Sequence, residues 1–245
     1  MALRWPASDD AVPEGVRLLD ADPDLALGLS DAELVRAREL VVPAFRASSG
    51  AWSPPELVST AMGAVVLDGI LIAGGRSFAR DDVRLLGAGD AIDARSFNDR
   101  DVAWRVLEPA RLALLDERFA LAARRWPALV TSLARRLFES QSEEHIRAAI
   151  CTMPRVEERI LALLCHLALR WGHVTPDGVA LTFPVTHESL GALVGARRPT
   201  VSLALATLTE QRVLHRRNDG TWLLPPECSE WPTTGLPRGR PSMAA

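Results

Sequence analysis

Two neighbouring arginines, Arg197 and Arg198, stand before Pro199 and Thr200, and Ser202 follows. Guanidinium groups form bidentate hydrogen bonds with phosphate oxygens and with guanine, and hydroxyl groups can serve either phosphates or bases. From 195 to 217 the sequence has five arginines against one acid, which gives a local charge of +4 in a chain whose net charge is −3. These residue types predict a site for a polyanion.

The residues before this cluster predict a short helix and a tight turn. Thr186 is a good N-cap, and Val185 and Leu190 stand at the two positions of a hydrophobic staple, so a helix should begin at His187. Gly195 can take the left-handed or open conformation that a tight turn between helices requires.

A second helix should begin at Arg198, since a proline in the first turn replaces an N–H that has no intrahelical acceptor. Its apolar residues at i, i+3, i+4 and i+7 predict a buried stripe, which leaves the arginines and hydroxyls on the other face. The stripe consists of Val201, Ala204, Leu205 and Leu208. The segments "VLHRR", "NDG" and "TWLL" then predict a hairpin with Arg216 and Arg217 on its rim. Helix, turn, helix and basic hairpin together predict a winged helix that binds DNA.

The stretch "VTHESLGALVGARRPTVSLALATLTEQRVL" resembles the helix-turn-helix of the Crp/Fnr family of bacterial transcription regulators, with Gly191 and Gly195 at its glycine positions. The resemblance implies an α+β fold: an N-terminal jelly-roll barrel of the cyclic-nucleotide-binding type, a long dimerisation helix and a C-terminal winged helix-turn-helix. It also implies a homodimer that binds double-stranded DNA at a pseudo-palindromic site, with RNA polymerase as a further partner.

Within this resemblance Arg198 is the predicted guanine contact, Ser202 and Pro199 face neighbouring bases, and the other residues anchor phosphates. Two positions depart from the family: Pro199 stands where many members have a base-reading glutamate, and Leu203 where many have a second arginine. The predicted DNA-binding residues are His187, Arg197, Arg198, Pro199, Thr200, Ser202, Arg216 and Arg217.

The remaining sequence predicts four parts. Residues 1–126 form the effector-type barrel domain, 127–152 the dimerisation helix and a hinge, 153–226 the winged helix and 227–245 a disordered tail. Within the first part, residues 1 to about 30 predict a partly ordered lead-in, a helix should follow Ser30, and short apolar runs from 61 to 116 are typical of an antiparallel sheet or small barrel.

The helix from 127 to 150 carries one apolar stripe: Leu129, Val130, Leu133, Leu137 and Phe138. Such a stripe must be covered, either by the barrel of the same chain or by the same helix of a second copy. Pro154 should break this helix before the next one begins.

The effector of the barrel cannot be predicted. "RLLGAGDAI" resembles the hairpin that leads into the family's cyclic-nucleotide cassette, but Asp93 and Ala94 replace the expected Gly-Glu pair and the following loop is short. An aspartate there would repel a cyclic phosphate, so cyclic AMP is disfavoured. Three nearby arginines are interpreted as surface residues, with an anion site as the alternative: Arg95, Arg100 and Arg105.

No metal or cofactor is predicted. An iron–sulfur cluster of the family's kind needs N-terminal cysteines, whereas the first cysteine is Cys151, and His145 and His166 are isolated on helices. Cys151, Cys165 and Cys228 are too few and too far apart for a disulfide framework, and Cys165 should simply pack in the core. Since neither a membrane-spanning run nor a signal peptide is evident, the expected location is the cytoplasm.

Two other classes of function remain as alternatives. A cupin-like barrel enzyme would use "GAGD" at 87–90 as a phosphate loop, or Asp81, Asp82 and Asp90 as metal ligands, but both are better interpreted as turns. All five histidines lie at 145 or beyond, so none lies on the predicted barrel strands and no enzyme activity is expected. The other alternative is a winged helix for protein contacts, which would not need arginines on one side.

Overall fold

The protein is described by a computed structural model that covers residues 13–55, 61–75, 83–182, 185–226 and 228. The chain divides into two compact units, residues 1–143 and 144–245. Each unit contains its own antiparallel sheet together with helices, so the predicted α+β class is confirmed. The division falls inside a long helix rather than at either predicted end of it, and the four-part division stays a prediction.

The first unit is built on a seven-stranded antiparallel sheet in the order β1-β2-β7-β4-β5, with β3 paired to β7 and β6 paired to β4. The longest strands, β4 and β7, pair along almost their whole length. The strands are β1 (Glu14–Arg17), β2 (Val41–Ala47), β3 (Gly50–Trp52), β4 (Gly63–Gly75), β5 (Arg84–Gly87), β6 (Ala91–Asp93) and β7 (Val102–Leu115).

Strand β4 is buried on both faces, which explains its nearly continuous apolar sequence. Because successive side chains of a strand point to opposite faces, Val65 and Leu67 join one cluster while Ala64 and Val66 join another. The first cluster packs the sheet against helices, and the second surrounds Trp104. The predicted sheet from 61 to 116 is therefore confirmed, and β1, β2 and β3 extend it towards the N-terminus.

The helices of this unit lie between its strands or after the last of them. They are α1 (Leu18–Ala21), α2 (Asp31–Ala37), α3 (Ala94–Asn98), α4 (Glu117–Ala123) and α5 (Pro127–Cys151), with a 3₁₀ turn at Pro23–Ala26. The predicted helix after Ser30 is confirmed, since the Ser30 backbone N–H donates to Glu33 at 2.9 Å in a capping box.

The prediction of a partly ordered lead-in is wrong for residues 14–29. This segment forms β1, α1 and the 3₁₀ turn, and Leu18 and Leu25 are fully buried in the cluster under α5. Its sequence has no clear period because its leucines meet partners from distant parts of the chain. Residues 1–12 of the predicted lead-in lie outside the described residues.

The first half of α5 packs along its own unit on one side only. Leu129 and Leu133 are buried in the apolar cluster, and Arg136 forms a buried ion pair with Asp22. Val130, Leu137 and Phe138 are exposed, and 69% of Phe138 is accessible. The predicted apolar stripe thus splits: two of its residues are covered by the same chain, and the other three are uncovered.

The second unit contains the expected winged helix. After the break at Pro154 it consists of α6 (Val156–Trp171), β8 (His173–Thr175), β9 (Gly178–Leu181), α7 (His187–Val194), α8 (Arg198–Glu210), β10 (His215–Arg216) and β11 (Trp222–Leu224). The strands form a sheet in the order β10-β11-β9-β8. The break and the last hairpin were predicted, whereas the β8–β9 hairpin was not.

A disulfide joins Cys165 in the middle of α6 to Cys228 after β11. Both residues are buried, with Cys228 only 2% exposed. The prediction that Cys165 serves core packing alone is therefore wrong, and Cys228 of the predicted tail is buried in this unit. A separation of 63 residues gives no local signal of the pairing, which only the folded unit creates. The rest of the predicted tail, 227 and 229–245, lies outside the described residues.

Candidate nucleic-acid interface

The turn between α7 and α8 is held by the residues that the sequence singled out. The Ser189 backbone N–H donates to the Thr186 hydroxyl at 3.1 Å, which caps α7 as predicted. Gly195 ends α7 in the left-handed conformation, with φ at 65°. At Gly191 an added Cβ would lie 2.7 Å from the Ala196 carbonyl oxygen, so a side chain there would force the turn apart.

Helix α8 separates a buried face from an exposed one. All four residues of the predicted stripe are buried, from Val201 to Leu208. The start of the helix is exposed and carries Arg197, Arg198, Pro199 and Thr200. Leu203 is also on this face and is 67% exposed, although its sequence context is that of an apolar helix.

The Ser202 hydroxyl makes two hydrogen bonds within the protein. Its hydroxyl donates to the Arg198 carbonyl oxygen at 3.1 Å, and its Oγ lies 2.9 Å from Nδ1 of His187. Since the hydroxyl hydrogen is used on Arg198, we assign the hydrogen of the neutral imidazole to Nδ1, which donates to Ser202. Nε2 of His187 is then a lone-pair acceptor.

Burial and two arginine charges act on the imidazole of His187. Burial lowers its pKa from the ordinary value, and the charges of Arg216 and Arg198 lower this pKa further. Arg216 belongs to β10 and Arg198 to the first turn of α8, so two elements bring cations near the neutral imidazole at the start of α7. Such convergence is costly unless an anion balances it, and phosphate is the anion that this donor set suits.

The hairpin of β10 and β11 has the predicted form, but its two arginines make different contacts within the protein. The Arg216 guanidinium lies over the Trp222 ring at 4.9 Å from its centre and remains exposed. Arg217 donates to Asp177 at 3.0 Å in an ion pair with the turn between β8 and β9. Asp219 accepts from the Thr221 backbone N–H at 2.9 Å and so shapes the turn between β10 and β11.

The predicted residues thus fall into three groups. His187 contacts Ser202 and is affected by the charges of Arg198 and Arg216. Arg197, Pro199 and Thr200 are exposed at the start of α8, and Arg217 is paired with Asp177. Leu203 was named as a departure from the family but was not included among the predicted DNA-binding residues, although its position one turn after Pro199 places it on the same face.

In the first unit, Asp93 has a structural role. Its carboxylate accepts from the backbone N–H groups of Arg95 at 2.8 Å and Ser96 at 3.0 Å, and so caps α3. The three predicted surface arginines of this region are all exposed. Beside α3, Phe97 stacks on Trp104 with ring centres 5.2 Å apart.

The residues of the enzyme alternative do not converge on a site within the described part of the chain. Asp90 accepts from the Gly87 backbone N–H at 2.8 Å, which confirms its interpretation as a turn residue. Asp81 and Asp82 lie outside the described residues. Elsewhere in the described ranges, no three His, Cys, Asp or Glu residues are grouped as metal ligands would be. The helices described here include none with the length and apolarity to cross a membrane.

Comparison with known proteins agrees with this geometry. Residues 158–227 match the family described as the Crp-like helix-turn-helix domain. No curated protein matches the sequence. A mutant of CooA from Carboxydothermus hydrogenoformans has a similar structure, with a TM-score of 0.61 and 18% identity over 89% of this chain and 95% of that chain.

Two further solved structures cover most of the chain at low sequence identity. A CRP/FNR-family transcriptional regulator from Thermus thermophilus has a TM-score of 0.56 and 21% identity over 76% of this chain and 98% of its own. FixK2 from Bradyrhizobium japonicum has a TM-score of 0.60 and 16% identity over 76% of this chain and 93% of its own. The resemblance to the Crp/Fnr family is confirmed: the chain has the fold of these regulators and carries a Crp-like helix-turn-helix domain at residues 158–227.

Proposed function

We propose that this protein is a sequence-specific transcription regulator that binds double-stranded DNA as a homodimer in the cytoplasm and has no enzyme activity. The observation that carries the proposal is the exposed basic start of α8, with Arg197 and Arg198, beside the His187 imidazole, which contacts Ser202 of the same helix at 2.9 Å. Phosphates in a duplex would balance these charges, and the major groove admits a helix of this size.

The residues of the interface divide between base reading and phosphate binding. Arg198 stands in the first turn of α8 and is exposed, so it is the proposed bidentate contact to guanine. Arg197, Thr200, His187 and Arg216 anchor the backbone. Arg217 contributes to phosphate binding only if it leaves Asp177, and Ser202 serves mainly to orient His187.

The uncovered side of α5 is the proposed dimer surface. Val130, Leu137 and Phe138 stand at i, i+7 and i+8, which places them on one face of the helix. Pairing of this face with its copy would relate two winged helices by a two-fold axis, so half-sites should lie about 34 Å apart. RNA polymerase is a further partner of the proposed regulator.

The barrel would respond to an effector other than cyclic AMP, or to none. Asp93 stands where the family has its Gly-Glu pair, and its carboxylate accepts a hydrogen bond from the Arg95 backbone N–H, which caps α3. A negative charge at that position disfavours a cyclic phosphate.

The test is a binding selection with a randomised duplex pool, with and without cyclic AMP, followed by the Arg198→Ala variant on the enriched sequence. We expect a palindrome to be enriched in both conditions. The variant should lose about 1–3 kcal/mol at this site and much less on random DNA, since a bidentate pair to guanine contributes specificity. Equal losses on both duplexes would show that Arg198 only binds phosphate, and a pool without enrichment would contradict the proposed function.

A further inference from the structure

The exposed face of α8 carries a continuous apolar strip. Pro199, Leu203 and Ala206 stand at i, i+4 and i+7, so they share one side of the helix, and all three are exposed. The strip lies opposite the residues that hold α8 in the core, such as Val201 and Leu205. It therefore does not contribute to the packing of the unit.

The hydroxyl groups on either side of the strip are turned away from it. Ser202 donates to the Arg198 carbonyl oxygen, and Thr207 donates to the Leu203 carbonyl oxygen, both at 3.1 Å. Neither hydroxyl retains a hydrogen for a base. Beyond the first turn of α8, the central exposed face thus offers carbon atoms rather than hydrogen-bond donors.

The arginine charges near the strip favour DNA over a protein as its binding partner. Arg198 precedes Pro199 at the exposed start of the helix, and the charges of Arg198 and Arg216 both act on His187, which contacts Ser202 at 2.9 Å. An apolar protein surface would gain nothing from these cations, whereas a duplex presents phosphates at its edges and one apolar group in its major groove, the C5 methyl of thymine.

We infer that Leu203, with Pro199 beside it, reads thymine in each half-site through the C5 methyl group. This inference rests on the proposed function. It adds thymine to the guanine contacted by Arg198 as a base read in each half-site. The operator is then specified by one hydrogen-bonded base and by neighbouring methyl contacts.

The experiment replaces each thymine of the enriched duplex in turn by deoxyuridine, which removes only the methyl group, and measures the dissociation constant by fluorescence anisotropy. One or two thymines per half-site should be sensitive, with affinity falling about fourfold, as expected for one buried methyl group. Leu203→Ala should bind the unmodified duplex more weakly and lose nothing further at those positions.

Val174→Ala is the matched control, because Val174 is 83% exposed on β8 of the same unit and outside the interface. This variant should keep the deoxyuridine profile of the wild type. A wild type that tolerates deoxyuridine everywhere overturns the inference, as does a Leu203→Ala variant that keeps the same sensitivity.

Failure of the inference can be distinguished from failure of the proposed function. If no duplex is enriched, both are overturned. If a duplex is enriched and depends on Arg198 but not on any thymine methyl, thymine reading alone is overturned and the proposed function stands.

Discussion

We expect His187 to be neutral in the free protein and to become protonated when a phosphate binds beside it. In the free protein, burial and the charges of Arg216 and Arg198 lower its pKa, so the ring is neutral at pH 7 and donates from Nδ1 to Ser202. A phosphate placed between these groups would raise the pKa, since it favours the charged ring. Protonation then turns Nε2 from an acceptor into a donor to that phosphate.

DNA affinity should therefore rise as pH falls. Because the pKa of His187 is higher in the complex than in the free protein, binding takes up a proton over the pH range between those two values. Affinity measured from about pH 8 to about pH 5.5 at constant salt should increase for the wild type, and His187→Gln should remove this increase. The exposed His173 on β8 supplies the control, since His173→Gln should behave like the wild type.

The lowered pKa of His187 in the free protein makes the fold less stable, not more stable, as pH falls. A histidine whose folded pKa is lowered stabilises the fold above its unfolded pKa of about 6.5, and this contribution is lost as pH falls. Tighter binding at low pH would thus accompany a slightly weaker fold. An identical pH slope for the wild type and His187→Gln would show that another group takes up the proton.

At the scale of elements, the link between α6 and the segment after β11 is the least expected feature. The disulfide closes a loop with a sequence separation of 63 residues, for which the chain-entropy account gives a stabilisation of about 4 kcal/mol. In a reducing cytoplasm the two cysteines would be thiols, so the link is expected to form only under oxidising conditions.

Reduction should therefore lower the stability of the protein. In urea unfolding of the full chain, a reductant should shift the midpoint of the wild type to lower urea, because it frees the segment that ends at Cys228. Cys228→Ser should resemble the reduced wild type and should not respond to the reductant. Cys151→Ser, which removes the free cysteine, should respond as the wild type does; a response in Cys228→Ser would contradict the role of the link.

The elements themselves were predicted to different extents. The start of α7, the turn at Gly195 and the start of α8 were predicted because caps, staples and turn glycines act within a few residues. The β8–β9 hairpin was missed although "TPDGV" contains a turn signal, since its strands are only three and four residues long and Val174 faces solvent.

At the scale of the whole molecule, the uncovered side of α5 would decide the assembly. Its three exposed residues cannot be covered by the part of the chain described around Leu129 and Leu133, which packs on the other side of the helix. A large apolar side chain contributes about 1.5–3 kcal/mol when it becomes fully buried. A second copy of the helix would supply that burial and would space two winged helices for one duplex.

Phe138→Glu should therefore weaken the dimer. The lost burial and the added charges on both copies should raise the dimer dissociation constant at least about tenfold, which analytical ultracentrifugation would measure. Affinity for a full palindrome should fall, while affinity for one half-site should remain. Leu121→Glu makes the same kind of change at another large apolar residue, which is 58% exposed on α4, and should leave the dimer intact. Equal effects of both variants would contradict the assignment of the surface.

The sequence alone determined the helix caps, the turn glycine and the apolar stripe of the winged helix, together with the basic character of its exposed face. These features depend on residues within one or two turns of each other. The tertiary structure decided which side of α5 is covered, that Cys165 pairs with Cys228, that the Ser202 hydroxyl contacts His187 and that Leu203 is exposed. Each of these depends on groups from different elements, whose distances no local pattern encodes.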